Sequence, residues 1–420
     1  MTIHETYDVI VIGGGPAGTT GATILAQAGH SVAIFERDHF PRFHIGESLI
    51  PQTYWVLNRI GMLPKLQASH FTKKQSVQFV TDRGVLSEPF YFFDYKPHES
   101  SQTWQVCRSE FDQIMLDHAR EHGVDVHEGA RVIEVLFEGD QAVGVRVKPE
   151  GGPEREVRAK VVVDASGQST LLIDRLGLRE WDPVLKKAAL WTYWKGAHRD
   201  TGRDSGATIV LQTKEKKGWF WYIPLHDDIV SVGVVASYDY LFQNRASKDL
   251  RDIYFEEVDR CPGLQPRLKN ATQCDIFRAQ KEYSYRATKV AGNGWVLVGD
   301  ALGFLDPLYS SGVLLALVSG SMAADAIIAA FEAGDISEPR LRTWEATYFA
   351  GMERVRRLVC EFYDGFSFGR FVKKHPELKD RITDVLIGDV FKNDIDVLWP
   401  LMDKMRGEVA AEKAARLVAV

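Results

Sequence analysis

With 420 residues, 45% of them hydrophobic, the chain can bury one large core or two coupled ones, which excludes a disordered protein and fits a two-domain enzyme. Its 57 acidic residues slightly outnumber 51 basic ones, and a net charge of -6 offers no footprint for nucleic acid or an anionic membrane, so a small molecule is the expected partner. The four cysteines, Cys107, Cys261, Cys274 and Cys360, are scattered without a Cys-x-x-Cys pair or a His spacing that closes a metal site, so no metal is expected and a reducing cytoplasm fits.

The amino terminus, MTIHETYDVIVIGGG, lacks a basic region leading into a longer apolar segment and a cleavage site, and no secretory signal is expected. Tyr7 to Ile12 reads as a buried strand, Pro16 to Ala28 as a helix of small residues and Ser31 to Phe35 as a second strand, which together make a βαβ unit. A loop-rich stretch through His44 to Pro51 follows, then a helix to about Ile60 and an alternating strand near Val77 to Val80. Helical spacing returns over Ser109 to Glu121. Short strands with a turn at Glu138-Gly139-Asp140 run from Val124 to Val147, and Lys160 to Val163 is again a buried strand.

From Ala188 to Ser237 strands follow one another without helices, including Ala207 to Gln212, Trp219 to Ile223 and Ile229 to Val235, as in an antiparallel sheet. Gly294 to Val298 is one more buried strand, and a helix runs from about Gly312 to Ala333. Apolar stretches such as Val313 to Val318 fall well short of the roughly 20 residues that cross a bilayer, so no membrane association is expected. The tail beyond Glu338 is helical and rich in aromatic residues. Its segment Ile395 to Leu401 is expected to pack on the sheet domain, with a partner protein as the alternative.

Gly13-Gly14-Gly15-Pro16-Ala17-Gly18 places G-x-G-x-x-G between a strand and a helix, where bare N–H groups at Gly13, Gly15 and Gly18 and the helix dipole behind Pro16 and Ala17 can receive a pyrophosphate. Glu36 ends the second strand about 20 residues on, where a carboxylate can accept hydrogen bonds from ribose hydroxyls. This fingerprint alone leaves NAD and FAD open. Val162-Val163-Asp164-Ala165-Ser166-Gly167 and Val298-Gly299-Asp300-Ala301 resemble the second and third FAD signatures of the single-component flavoprotein hydroxylase superfamily, which implies FAD with Asp164 and Asp300 at the cofactor, Asp300 on the ribityl chain. Arg108 matches the arginine of that superfamily that reaches the cofactor. Phe40-Pro41-Arg42 and Gly46-Glu47-Ser48 resemble its F-P-R-x-x-x-G-E-S flavin loop, which implies cofactor contacts for Arg37, Arg42 and Ser48.

A sharper resemblance is to flavin-dependent halogenases of the phenol and pyrrole branch. Trp219-Phe220-Trp221-Tyr222-Ile223-Pro224 fits W-x-W-x-I-P, and two tryptophans at i and i+2 share one strand face, where with Ile223 and Pro224 they can wall a flavin chamber from a substrate chamber. Phe71 to Phe79 fits F-x-x-K-x-x-x-x-F and implies that Lys74 is the essential lysine, whose amine can hydrogen-bond hypohalous acid or carry the halogen as a haloamine. Phe304 to Gly312 fits F-x-x-P-x-x-S-x-G. The resemblance sets Phe304, Pro307 and Val313 beside the flavin and makes the N–H groups of Ser311 and Gly312 the halide site, as a helix amino terminus there allows.

The resemblance runs from about residue 6 to residue 325. It implies an α/β fold, with a Rossmann-like FAD-binding domain of the GR2 type over residues 1–180 and 285–335, part of residues 60–110 lent to an antiparallel-sheet substrate domain over 181–284, and a helical region over 336–420. It also implies reduced FAD from a separate flavin reductase, chloride or bromide as co-substrate, and an electron-rich phenol or pyrrole, free or tethered to an acyl or peptidyl carrier protein. Tyr309 stands where halogenases of free tryptophan carry glutamate, so free tryptophan is not the expected substrate. His226, Asp227 and Glu110 are candidates by residue type for accepting the ring proton. The alternatives on the same scaffold are an FAD hydroxylase with its own NADPH reaction, a geranylgeranyl-type reductase and a flavin-binding module without turnover.

Overall fold

The strand Thr6–Ile12, the helix Pro16–Gln27 and the strand Val32–Phe35 open a computed structural model that describes residues 3–243 and 245–418. Thr6–Ile12 lies between two parallel neighbours, Arg155–Asp164 and Val32–Phe35. That central position explains why residues 9–12 are apolar without alternation: both of their faces are buried. The sheet continues in parallel through Asp125–His127 on one side and Trp295–Leu297 on the other. An antiparallel hairpin, Ala130–Glu138 with Gln141–Pro149, turns at Gly139 (φ 65°) and joins the first half of Arg155–Asp164.

Helix Pro16–Gln27 crosses helix Gly312–Glu332 at close range. A Cβ on Gly320 would stand 2.4 Å from the Ala17 carbonyl oxygen, so only glycine allows the two backbones to meet there. Gly312–Glu332 is long and apolar enough to span a bilayer, more so than the stretch Val313 to Val318 indicates. Most of it is buried, including Leu314, Leu317 and Ile327, and burial in a protein core demands the same composition as burial in lipid.

A second sheet of nine strands runs in the order Gly303–Phe304, Arg278–Ala287, Arg179–Lys195, Ile229–Ser237, Gly218–Pro224, Thr208–Gln212, Ser76–Val80, Phe90–Tyr91, with Thr272–Gln273 paired to Arg179–Lys195. It is antiparallel except where Thr208–Gln212 meets Ser76–Val80 in parallel. One face packs Leu190, Phe220, Tyr222 and Val232 against Ile253 and Tyr254 of the helix Leu250–Asp259. The opposite face carries Trp191, Tyr193, Thr208, Trp219, Trp221 and Ser231, because side chains alternate along each strand. A short antiparallel pair, Thr72–Lys74 with Thr103–Gln105, stands apart from both sheets.

The described residues up to Glu345 form one compact unit and those from Ala346 a second. The short helix Glu338–Leu341 thus belongs with the first unit, although a helical tail counted from residue 336 includes it. Its backbone and side chain are tied to Asn293 Oδ1 (2.8 Å) and Lys289 Nζ (2.8 Å). In the second unit Arg354 is buried and donates to Asp396 and to the Val390 carbonyl, which anchors the segment containing Ile395 and Leu398, both fully buried.

Candidate active site

The dinucleotide loop is shaped by contacts that leave no room for side chains. Gly13 has φ 106°, and a Cβ on Gly18 would lie 2.2 Å from the Gly13 carbonyl oxygen, so the turn closes on itself at the start of the helix. A Cβ on Gly15 would meet nothing nearer than Arg42 Nη2 at 3.7 Å, so the front of the loop is open. Pro16 takes the first helical position, where its missing N–H costs nothing. The Glu36 carboxylate is buried at the end of its strand and accepts from Gly14 N (2.8 Å) and Asp38 N (2.9 Å), which fixes its orientation beside the loop. This cradle fits the pyrophosphate and ribose of FAD.

Arg108 donates through Nε and Nη2 to both oxygens of buried Asp112 (2.8 and 3.0 Å) and through Nη1 to the Ile45 carbonyl (2.6 Å). Arg42 reaches the same carboxylate at 3.0 Å. Burial alone would raise the Asp112 carboxyl, but the Arg108 charge and hydrogen bonds, with Arg42, hold it below the ordinary range. Arg37 is exposed and bonds Ser169 Oγ at 2.9 Å. Asp164 is fully buried and gives both oxygens to backbone N–H groups, Ser166 at 3.0 Å and Leu172 at 2.7 Å, so its side chain holds the turn after the strand. Burial pushes the Asp300 carboxyl up to about 6, and Gln168 Nε2 approaches it at 3.5 Å.

The loop after Gly303–Phe304 is organised by Asp306, which caps the turn Pro307–Tyr309 by accepting from Leu308 N (3.1 Å). Ser310 adopts a left-handed conformation (φ 56°) and turns the chain into the helix Gly312–Glu332. The Ser311 hydroxyl is buried with no hydrogen-bond partner among the described residues. A Cβ on Gly312 would meet nothing within 4 Å. An orphaned hydroxyl, unsatisfied N–H groups and open space at a helix amino terminus suit a small anion. Buried Val313 lies against Gly46, whose added Cβ would stand 3.8 Å from it and 2.9 Å from Arg108 Nη1.

Trp219, Trp221 and Ile223 point to the site face of the sheet, and Pro224 ends the strand opposite Val230. The two indoles are buried with centroids 6.5 Å apart. The Trp221 ring lies over Gly233, where a Cβ would be 2.2 Å from its Cζ2, and its Nε1 donates to Ser231 Oγ (3.0 Å). Phe304 stands at the edge of the same sheet, paired with Tyr285.

Lys74 is almost fully buried at the end of its short strand. Its Nζ donates to Ser48 Oγ (2.7 Å) and the Leu49 carbonyl (3.0 Å) and faces the Phe92 ring at 5.6 Å. Burial, with no offsetting charge, pushes the amine down to about 7. Ser48, expected at the cofactor, commits its hydroxyl to this lysine and to Thr208 Oγ1 (2.8 Å), which Gln105 Nε2 also reaches at 2.8 Å.

Glu47 has no role of its own in the sequence pattern, because its segment resembles a cofactor loop. It is buried, its Oε1 accepts from Tyr193 OH (2.7 Å), and Oε2 has no hydrogen-bond partner among the described residues. Burial pushes its carboxyl up to about 7, against the Ser231 and Tyr193 hydroxyls and the charges of Arg108 and Arg278. Of the proton-acceptor candidates, His226 Nε2 lies 3.0 Å from the Glu110 carboxylate, and Asp227 is exposed 3.7 Å from the same imidazole.

Comparison with known proteins shows which family the chain resembles. The tryptophan halogenase family matches residues 94–367 and the FAD-dependent oxidoreductase family residues 8–174. A 1H-pyrrole-2-carbonyl-[peptidyl-carrier protein] chlorinase of Pseudomonas fluorescens is 34% identical over 98% of this chain and 94% of its own length. A brominase for the same carrier-bound group, from Pseudoalteromonas luteoviolacea, is 33% identical over 93% and 94%. Among solved structures, the flavin-dependent brominase Bmp2 superposes with a TM-score of 0.85 at 30% identity, covering 98% of this chain and all (100%) of the other. The myxobacterial chondrochloren halogenase, a variant of FAD-dependent halogenases, gives 0.75 at 37% identity over 86% and 82%.

Proposed function

Because the chain belongs to the flavin-dependent halogenase family, we propose that it chlorinates or brominates a pyrrole carried as a thioester on a peptidyl carrier protein. Near-complete coverage by two relatives named for that substrate supports the pyrrole and the carrier. The observation that carries the chemistry is the Lys74 amine, buried, free of a carboxylate partner and poised at about 7.

Reduced FAD, when bound, supplies the activation of O2 that oxidises halide to hypohalous acid. Gly13, Gly15, Gly18 and Glu36 would hold its diphosphate and ribose, and Asp300 would be the acid available to its sugar chain. Reduced FAD arrives from a separate flavin reductase, in keeping with a single G-x-G-x-x-G fingerprint in the sequence. The N–H groups of Ser311 and Gly312, with the Ser311 hydroxyl, hold the halide against the helix amino terminus. Trp219 and Trp221 keep the organic substrate on the far side of the wall. With the amine lowered to about 7, a share of Lys74 carries a lone pair at neutral pH. That nitrogen takes the halogen from hypohalous acid, losing a proton and releasing water, and passes it to a ring carbon, which then loses its own proton. Ser48 and the Leu49 carbonyl hold the amine in place.

The test supplies purified protein with FAD, a flavin reductase, bromide and a pyrrolyl carrier protein, and weighs the carrier by mass spectrometry. Wild type adds bromine. Lys74→Ala and Lys74→Arg, the latter permanently protonated, retain FAD and consume O2 but leave the carrier unchanged. Bromination by Lys74→Ala at the wild-type rate refutes the role of the lysine, and bromination of a free phenol but not of the carrier-bound pyrrole refutes the substrate.

A further inference from the structure

Three side chains that this mechanism does not use converge at one point. His70 lies in the segment leading into Thr72–Lys74, Glu110 in the first turn of the helix Arg108–Glu121, and His226 just after the strand Gly218–Pro224. Nε2 of His70 is 3.0 Å from Glu110 Oε2, and Nε2 of His226 is 3.0 Å from Oε1 of the same carboxylate. The imidazoles meet edge to face with centroids 4.3 Å apart, and all three donor atoms fall within 4.8 Å of one another.

We infer that His70, Glu110 and His226 form a binding site for a divalent cation of the zinc class. Two imidazoles and a carboxylate are a donor set for a borderline-soft ion, whereas magnesium and calcium take oxygen ligands throughout. Bonds of about 2.0–2.2 Å set neighbouring tetrahedral donors roughly 3.3 Å apart, so the set closes on an ion with small movements. Without an ion the Glu110 carboxylate holds the proton on His226 Nε2; His226 Nδ1 has no hydrogen-bond partner among the described residues and can take that proton when an ion claims the Nε2 lone pair. The side chain of His226 is 13% exposed and that of His70 65%. The ion therefore enters from the His70 side, where water completes its shell.

The site fastens together the three elements that carry the Lys74 strand, the tryptophan wall and the Arg108 helix. No spacing pattern announces it, because each ligand comes from a different part of the chain, and the sequence reading expects no metal.

The test uses the FAD-loaded protein, stripped with a chelator and titrated with Co2+ alone, then with Zn2+. One equivalent of Co2+ is expected to bind with visible ligand-field absorption and to be displaced by Zn2+. His70→Ala, His226→Ala and Glu110→Gln are each expected to lower the affinity at least about tenfold. The mostly exposed His70 is the variant whose fold is least at risk, and an unchanged FAD stoichiometry verifies it. Absence of saturable binding in the wild type overturns the site, as does binding of equal affinity by His70→Ala, which locates the ion elsewhere.

Discussion

Replacing Lys74 by methionine keeps the volume of the side chain and removes its proton, so the variant isolates what burial does to the amine. The drop from 10.5 to about 7 amounts to about 5 kcal/mol at about 1.4 kcal/mol per pH unit. The unfolded chain keeps this proton up to the ordinary lysine range, whereas the native chain releases it above about 7. Between those values the unfolded state binds more protons, so the contribution of Lys74 to stability improves as pH rises through the window, and its full penalty is present below about 7.

Urea unfolding of the FAD-loaded proteins at several pH values reads this directly. Wild type is expected to gain roughly 2 kcal/mol on Lys74→Met between about pH 7 and about pH 9. The lost Ser48 and Leu49 hydrogen bonds shift the two curves by a constant and leave the slope alone. Halogenation by the wild type should fall about tenfold per pH unit below about 7, as the lone pair is protonated. Parallel stability curves would mean that the amine titrates normally, and the argument for its reactivity would fail.

Glu47→Gln should act with the opposite sign: the wild-type carboxyl stays protonated in the native chain up to about 7, so stability falls as pH rises from the ordinary carboxylate range. The variant should gain roughly 3 kcal/mol on wild type across that window, and an unchanged difference in the same urea assay would remove the buried acid from the site. Ser311→Ala deletes a buried hydroxyl that has no partner among the described residues, so stability should change by less than about 1 kcal/mol while the KM for bromide rises about tenfold, the size of one hydrogen bond to an anion. An unaltered bromide KM would place the halide elsewhere. Gly233→Ala sets a Cβ 2.2 Å from Trp221 Cζ2 and must displace the indole. A stability loss of about 1–3 kcal/mol with FAD still bound and halogenation sharply reduced is expected, and full activity would show that the wall tolerates movement.

The legible parts of this chain were those whose physics is local. The βαβ unit follows from an apolar run, a glycine turn and a small-residue helix, and the strands around Trp219 and Ile229 follow from length and spacing. The parallel pairing of Ser76–Val80 with Thr208–Gln212 has no local signature, because no turn joins them. Asp164 illustrates a different limit. The motif places it at a cofactor, and only the folded turn shows its oxygens occupied by Ser166 and Leu172. The helix Gly312–Glu332 is legible over its whole length, but the run Val313 to Val318 understates its apolar character, because Ser319 and Gly320 interrupt the run although both are buried in it.

The hardest part to read was Gly46-Glu47-Ser48, which looks like a single cofactor loop and faces three ways. Gly46 lies against Arg108 and the Val313 side chain beside the anion-fitted helix terminus. The Glu47 side chain bonds Tyr193 on the face that carries the tryptophan wall, and the Ser48 hydroxyl holds Lys74. Their partners are scattered from Lys74 to Val313 in sequence, so no window along the chain contains the arrangement. Glu47 and Ser48 meet the same face of the second sheet, at Tyr193 and at Thr208, and Ser48 alone also reaches Lys74. In the proposed mechanism the tripeptide sets the register between the halide site and the Lys74 amine, and its backbone is tied down at both ends: Val106 N donates to the Glu47 carbonyl and Leu49 N to the Trp104 carbonyl.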